Sequence, residues 1–216
     1  MLEPPVSAAI ARPASATELA TESVTESVTE SGAESGAESA TRSARQEPAP
    51  RVECATMPFR ILRDGTWLYR GSPIDRKPMV CLFASVLKRD ADGEYWLETP
   101  VERGRIEVED APFVAVELDW SGCGRTQRLS FRTNVDQCVT ADAAHPIRVA
   151  HDPTTLDPIP YLRIRDGAGR YPIEARIGRA VYYELVALSE PHVVAGVEML
   201  GVWSAGSFFA LGELPL

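Results

Sequence analysis

The chain has 216 residues, a formal net charge of −9, 44% hydrophobic and 25% charged residues, a composition that supplies a buried core of ordinary size. That acidity argues against general DNA or RNA binding, because phosphate backbones are held through accumulated positive charge. The most apolar stretch, 193–211, is interrupted by Glu198, Gly196, Gly201, Ser204 and Gly206, so no membrane span is expected.

The first residues, Met1-Leu2-Glu3-Pro4-Pro5, show neither a basic n-region nor an apolar h-region, and the cytoplasm is the expected compartment. Across 1–50, Thr-Glu-Ser recurs at 21–23, 25–27 and 29–31, and Ala-Glu-Ser keeps the same register at 33–35 and 37–39. On a helix this period would stack Glu22, Glu26, Glu30, Glu34 and Glu38 on one face, with like charges repelling and no apolar stripe to offset them. A disordered, low-complexity acidic tail is therefore expected over 1–50. It holds eight acids against three arginines, which leaves −4 of the −9 for the remainder.

From Phe59 the pattern becomes one of short strands and turns. Asp64-Gly65 between 60–63 and 66–69 predicts a two-residue type I′ hairpin. Met79, Leu82, Phe83, Val86 and Leu87 recur with helical spacing, which predicts one buried helical face, with Asp75 as N-cap and Pro78 in the first turn. Alternation over 95–99, 105–109, 113–120 and 127–133 predicts an antiparallel meander with one solvated face.

The second half echoes the first. Leu162-Arg163-Ile164-Arg165-Asp166-Gly167 restates Ile61-Leu62-Arg63-Asp64-Gly65, and a helix with Ile177, Ala180, Val181, Leu185 and Leu188 on one face follows. Pro112-Phe113-Val114-Ala115-Val116 matches Pro160-Tyr161-Leu162-Arg163-Ile164, and 65–71 matches 206–212 in its aromatic and small residues. The fold expected is α+β: a duplicated unit of mainly antiparallel strands with one helix per half. The N-terminal repeat spans 51–125 and the C-terminal repeat spans 126–216, packed on the first.

Cys54, Cys81, Cys123 and Cys138 form no CxxC pair, so free thiols are expected, with Cys81 a small core residue and Cys123 in an exposed turn. His145, His151, Asp142 and Asp152 lie in a proline-bearing loop that disfavours a metal site. Ser204 lacks a Gly-x-Ser-x-Gly elbow, and of Glu107, Glu109 and Asp110, which could be paired carboxylates, Glu107 and Glu109 read as ordinary solvent-facing alternation on one strand face. With no P-loop or dinucleotide fingerprint, neither a cofactor nor an enzymatic activity is expected.

Arginine offers the one positive signal, with 20 Arg against Lys77 and Lys88. Arg63 and Arg165 stand beside Asp64 and Asp166, and Arg76 and Arg176 or Arg179 begin or line the two helices. Brought together at the interface of the halves, such groups would bind carboxylate or phosphate bidentately. In the alternative account each arginine pairs with its neighbouring aspartate and staples its own hairpin. Trp67 and Trp203 lie on the repeated aromatic strands and read as core or inter-half packing, or as stacking surfaces.

These segments together resemble a bacterial family catalogued as domain of unknown function 1285. The resemblance rests on Arg63-Asp64-Gly65-Thr66-Trp67-Leu68-Tyr69-Arg70-Gly71, Ile106-Glu107-Val108-Glu109-Asp110-Ala111-Pro112-Phe113, Phe131-Arg132-Thr133-Asn134-Val135, His145-Pro146-Ile147-Arg148-Val149, Arg179-Ala180-Val181-Tyr182-Tyr183-Glu184-Leu185 and Trp203-Ser204-Ala205-Gly206. It implies a duplicated α+β core, a C-terminal half similar to pleckstrin-homology barrels, and a ligand site between the halves for a nucleobase-containing molecule. Two departures stand out: Cys54-Ala55 replaces the family's Cys-Gly, and 168–172 reads as an insertion. The expected function is a non-enzymatic sensor or adaptor in signalling. It would hold a small anionic or nucleobase-containing ligand with Arg63, Asp64, Trp67, Arg76, Arg165, Asp166, Arg179 and Trp203. The alternative is a protein–protein interaction module with no small-molecule ligand.

Overall fold

The computed structural model describes residues 52–54 and 56–214; the acidic tail expected over 1–50 lies outside them. Sixteen strands, two α-helices and a short 3-10 helix (Gly124–Thr126) are present among the described residues. The first sheet contains β1 (Val52–Cys54), β2 (Phe59–Ile61), β3 (Trp67–Tyr69), β4 (Ser72–Pro73), β5 (Leu87–Arg89), β6 (Tyr95–Glu98) and β7 (Glu102–Val108), in the order β4-β3-β2-β7-β6-β5 with β1 also on β7. The second contains β8 (Phe113–Ser121), β9 (Arg128–Thr133), β10 (Cys138–Thr140), β11 (Ile147–His151), β12 (Pro158–Arg165) and β13 (Ile173–Ile177), in the order β10-β9-β8-β13-β12-β11. A third sheet of β14 (Glu190–Val194), β15 (Val197–Ser204) and β16 (Ser207–Glu213) completes the chain.

The first two sheets repeat one strand order. In each, two antiparallel runs of three strands meet at a central parallel pair, β2 with β7 and β8 with β13. The repeat differs from the one suggested by the short sequence matches. The first Arg-Asp-Gly segment joins β2 to β3, whereas the second follows β12, whose place in the strand order corresponds to β6. The change of sheet falls between Val108 and Phe113, upstream of the expected 125/126 division. For the same reason 95–133 is not one meander: β7 and β8 belong to different sheets.

Helix α1 (Lys77–Ser85) begins after Arg76, which stands at the N-cap without a side-chain hydrogen bond, so Asp75 does not cap it. Its inward face also differs from the expected one. Ala84 is buried, with Val80 and Phe83 against the core, whereas Met79 is 44% and Leu82 63% exposed. The periodic pattern fails because the helix stops at Ser85 and Leu87, 1% exposed, belongs to β5. Helix α2 (Arg179–Ala187) buries Val181 and Leu185 as expected and packs against β8. Ile177 is also buried, from β13.

One apolar cluster joins the halves, from Ile61, Trp67, Leu97 and Ile106 to Phe113, Phe131, Leu162, Ile177 and Leu185. Each such side chain stabilises the fold by roughly 1.5–3 kcal/mol relative to exposure. Cys81, Cys123 and Cys138 form no disulfide, Cys123 lies exposed as expected, and Cys81 is part-buried with its thiol 3.4 Å from the Val135 carbonyl. No helix among the described residues is long and apolar enough to cross a membrane.

Candidate functional site: an arginine cleft between the halves

The first Arg-Asp-Gly segment forms a three-residue hairpin loop rather than the expected two-residue turn. Leu62 N–H donates to the Thr66 carbonyl at 2.9 Å and Gly65 N–H to the Leu62 carbonyl at 3.0 Å. Gly65, at φ +85°, fills the left-handed position that closes a type I turn with a bulge. Asp64 Oδ1 accepts the Thr66 N–H at 2.9 Å, and that main-chain bond holds the Asp64 carboxyl below its ordinary pKa.

Asn134 fixes this turn to the second sheet. Its Nδ2 donates to the Gly65 carbonyl at 3.0 Å and its Oδ1 accepts from Val114 N–H at 3.1 Å. Glu109 fixes the start of the loop, accepting Arg63 N–H at 3.0 Å and the Arg60 guanidinium at 2.8 Å. Both carboxylate oxygens of Glu109 are therefore taken up, and the Arg63 side chain lines a cleft of about 660 Å³ against the second half.

Two further arginines line that cleft. Arg176, on β13, pairs with Asp110 at 2.7 Å; the same carboxylate accepts Tyr161 O–H at 2.6 Å and is 14% exposed. Burial, followed by the hydrogen bond to Asp110 and its charge, pushes the Tyr161 hydroxyl well above the usual phenol range. Arg179 is the first residue of α2, whose N-cap, Gly178, offers no side-chain acceptor; the opening N–H groups of a helix have no partner within it. Tyr182 and Tyr183 follow on α2, Tyr183 being 62% exposed.

The opposite wall carries Asp152 and Asp157. Asp152 Oδ1 accepts the N–H groups of Thr154 and Thr155 at 2.8 and 3.1 Å, and these bonds, with smaller contributions from the Arg63 and Arg176 charges, lower its pKa. Asp157 accepts the Thr155 hydroxyl at 3.0 Å. The two carboxylates thus brace their own loop. Among the described residues, neither the Arg63 nor the Arg179 guanidinium has a carboxylate within ion-pair distance. Two planar donor forks facing one cleft beside a helix N-terminus can hold a carboxylate or phosphate.

The other residues expected at the site lie elsewhere. Arg165 is part-buried and donates to the Ala84 and Leu87 carbonyls at 2.7 and 3.1 Å, at the end of α1; desolvation lowers its pKa. Asp166, 79% exposed, pairs with Arg163 rather than with Arg165. Gly167 is not in the left-handed region; an added Cβ there would run into the Tyr171 carbonyl. Trp67 is 2% exposed in the core beside Phe83. Trp203, 8% exposed, contacts His192 and Phe208 on the third sheet, with Arg125 4.8 Å from its ring. Arg76 and Asp75 line a separate apolar groove of about 670 Å³ with Phe59, Tyr69, Met79 and Phe83.

Asn134, Tyr182 and the Asp110–Tyr161 pair were not singled out by sequence reasoning, since each acquires its role by contact between segments far apart in the chain. Among the described residues no set of metal-ligating side chains converges. The Ser204 hydroxyl is fully buried and spent on the Ala141 carbonyl at 2.6 Å and the Leu129 N–H at 2.9 Å.

Fold and cleft together define a two-half, mostly sheet α+β protein whose notable surface chemistry is arginine at the junction of the halves. Residues 48–111 match the N-terminal domain of unknown function DUF1285, and residues 112–211 match the C-terminal domain of the protein of unknown function DUF1285; the chain belongs to this family. A DUF1285 family protein from Silicibacter pomeroyi DSS-3 is similar at 43% identity and a TM-score of 0.68, over 78% of this chain and 90% of that one. Another, from Shewanella baltica OS155, matches at 28% identity and a TM-score of 0.45, over 61% of this chain and 91% of that one. No curated protein matches.

Proposed function

We propose that the protein is a non-enzymatic cytoplasmic sensor or adaptor in signalling that binds a small anionic ligand in the cleft lined by Arg63, Arg176 and Arg179. The observation that carries this reading is that Arg63 and Arg179, from opposite halves, line one cleft without a carboxylate at ion-pair distance among the described residues. Guanidinium charges lining one cleft repel, and an anion bound in that cleft offsets the repulsion while accepting hydrogen bonds from a planar fork. Tyr182 and Tyr183 add aromatic faces at the same cleft, which supports a nucleobase-containing anion as the first class to test. The nearby carboxylates Asp152 and Asp157 are committed to turn hydrogen bonds, in keeping with binding rather than acid–base chemistry.

Thermal shift against nucleoside monophosphates and phosphorylated sugars tests the reading, because a ligand at 100 times its Kd stabilises the native state by roughly 2.7 kcal/mol. A stabilising compound whose effect disappears in both Arg63→Gln and Arg179→Gln supports it. A flat panel, or full stabilisation in both variants, contradicts it.

A second reading, a protein-interaction module, draws on the apolar groove, where Met79 and Tyr69 are 44% and 41% exposed. A Met79→Glu variant that loses a captured protein partner would favour it.

A further inference from the structure

A second cluster of arginines lies around Tyr171, and none of its members lines the cleft discussed above. The cavity measures about 380 Å³ and is lined by Arg89 from the first sheet together with Arg148, Arg163 and Arg170 from the second half. Two of these charges have neutral partners. Arg89 donates to the Gly93 and Pro172 carbonyls at 3.0 and 2.8 Å, and its guanidinium carbon lies 5.2 Å from the Tyr171 ring centroid. Arg170 donates to the Tyr171 hydroxyl at 2.8 Å and lies 5.0 Å from the same ring.

The acids at hand cover the other two. Glu174 holds Arg148 bidentately, with both bonds at 2.6 Å, and is itself 8% exposed. Arg163 pairs with Asp166, a side chain 79% exposed to solvent, while the buried Arg163 Nε has no hydrogen-bond partner among the described residues. The loop bearing Arg170 is pinned in place, since Ala168 N–H donates to the Arg89 carbonyl at 2.7 Å and Arg89 returns a bond to Pro172. The Arg89 and Arg170 guanidinium groups are therefore positioned by the main chain and by Tyr171, whereas Arg148 and Arg163 are held by carboxylates.

Like charges gathered at a cavity wall repel, and a small anion with several charges offsets the two that have no carboxylate partner among the described residues, Arg89 and Arg170, at once. A neutral ligand would leave that excess charge in place, and a monovalent one would offset only part of it. Bidentate arginine forks further select flat or tetrahedral oxyanions over halides. We propose that this cavity is a second binding site, selective for a small multivalent oxyanion of the polyphosphate or polycarboxylate type.

The test is calorimetric titration of the full chain with inorganic tripolyphosphate, citrate and orthophosphate at constant ionic strength. The wild-type protein is expected to bind tripolyphosphate or citrate more tightly than orthophosphate; the tighter of the two identifies the phosphate or the carboxylate source. Arg170 is exposed, so Arg170→Gln should keep the wild-type melting temperature while weakening that binding about tenfold. Arg63→Gln, which acts on the other cleft, should leave it within about twofold. The inference is overturned if no multivalent anion binds, if orthophosphate binds as tightly, or if Arg63→Gln abolishes binding while Arg170→Gln does not.

Discussion

The two Arg-Asp-Gly segments share three residues and almost nothing else. At the first, Arg63 is exposed and lines the inter-half cleft, Asp64 closes its own turn through Thr66 N–H, and Gly65 takes φ +85° under the Asn134 clamp. At the second, Arg165 lies over the carboxyl end of α1, Asp166 pairs with Arg163 at the surface, and Gly167 is pressed against the Tyr171 main chain. A motif repeated in sequence thus serves display in one half and packing in the other. What separates them is the environment of the arginine: Arg63 faces a cleft, whereas Arg165 meets the main-chain carbonyls of Ala84 in α1 and Leu87 in β5.

The contrast is sharpest for the second glycine. Gly167→Ala should destabilise by roughly 2–3 kcal/mol, measured by denaturant unfolding, because the new methyl meets main-chain atoms that cannot rotate away. Arg165→Gln should follow at about 2 kcal/mol, as two charge-assisted bonds to buried carbonyls are lost. The same change at Arg63 should move stability by less than about 0.5 kcal/mol; equal costs at the two positions would erase the distinction drawn here.

Gly65→Ala should cost about 1–2 kcal/mol, read by denaturant unfolding, through its left-handed backbone and its approach to Asn134. The smallest effect is at Asp64. Its native pKa is depressed, so its ionised form adds stability above the ordinary carboxylate pKa, and that contribution disappears as pH falls through the native value. Because the group is solvent-exposed, Asp64→Asn should differ from wild type by no more than about 0.5 kcal/mol at neutral pH, the gap closing in acid.

Sequence patterning and structure agree where local physics decides. Alternation locates β6 to β9 within a few residues, the helical period locates the buried Val181–Leu185 stripe, and Asp64-Gly65 marks a turn. Agreement ends where a distant partner decides. Alternation cannot tell that β7 and β8 enter different sheets, and a helical period computed through Leu87 misplaces the inward face of α1 once the chain turns into β5. At the site, Arg63 and Arg179 were identifiable as arginines at a turn and a helix start. The burial of Arg165 depends on α1, some eighty residues away in sequence, and the Asn134 clamp joins segments 69 residues apart, so neither leaves a local signal.

The central claim is that the first arginine of the repeated motif, and not the second, belongs to a ligand site. It is tested most directly by titrating wild-type protein, Arg63→Lys and Arg165→Lys with the strongest stabiliser from the nucleoside monophosphate and phosphorylated-sugar panel. Lysine keeps the charge but removes the planar fork. The account predicts that affinity falls about tenfold in Arg63→Lys and stays within about twofold of wild type in Arg165→Lys, even though Arg165→Lys has the lower melting temperature. Unchanged affinity in Arg63→Lys, or an equal loss in both variants, would contradict it.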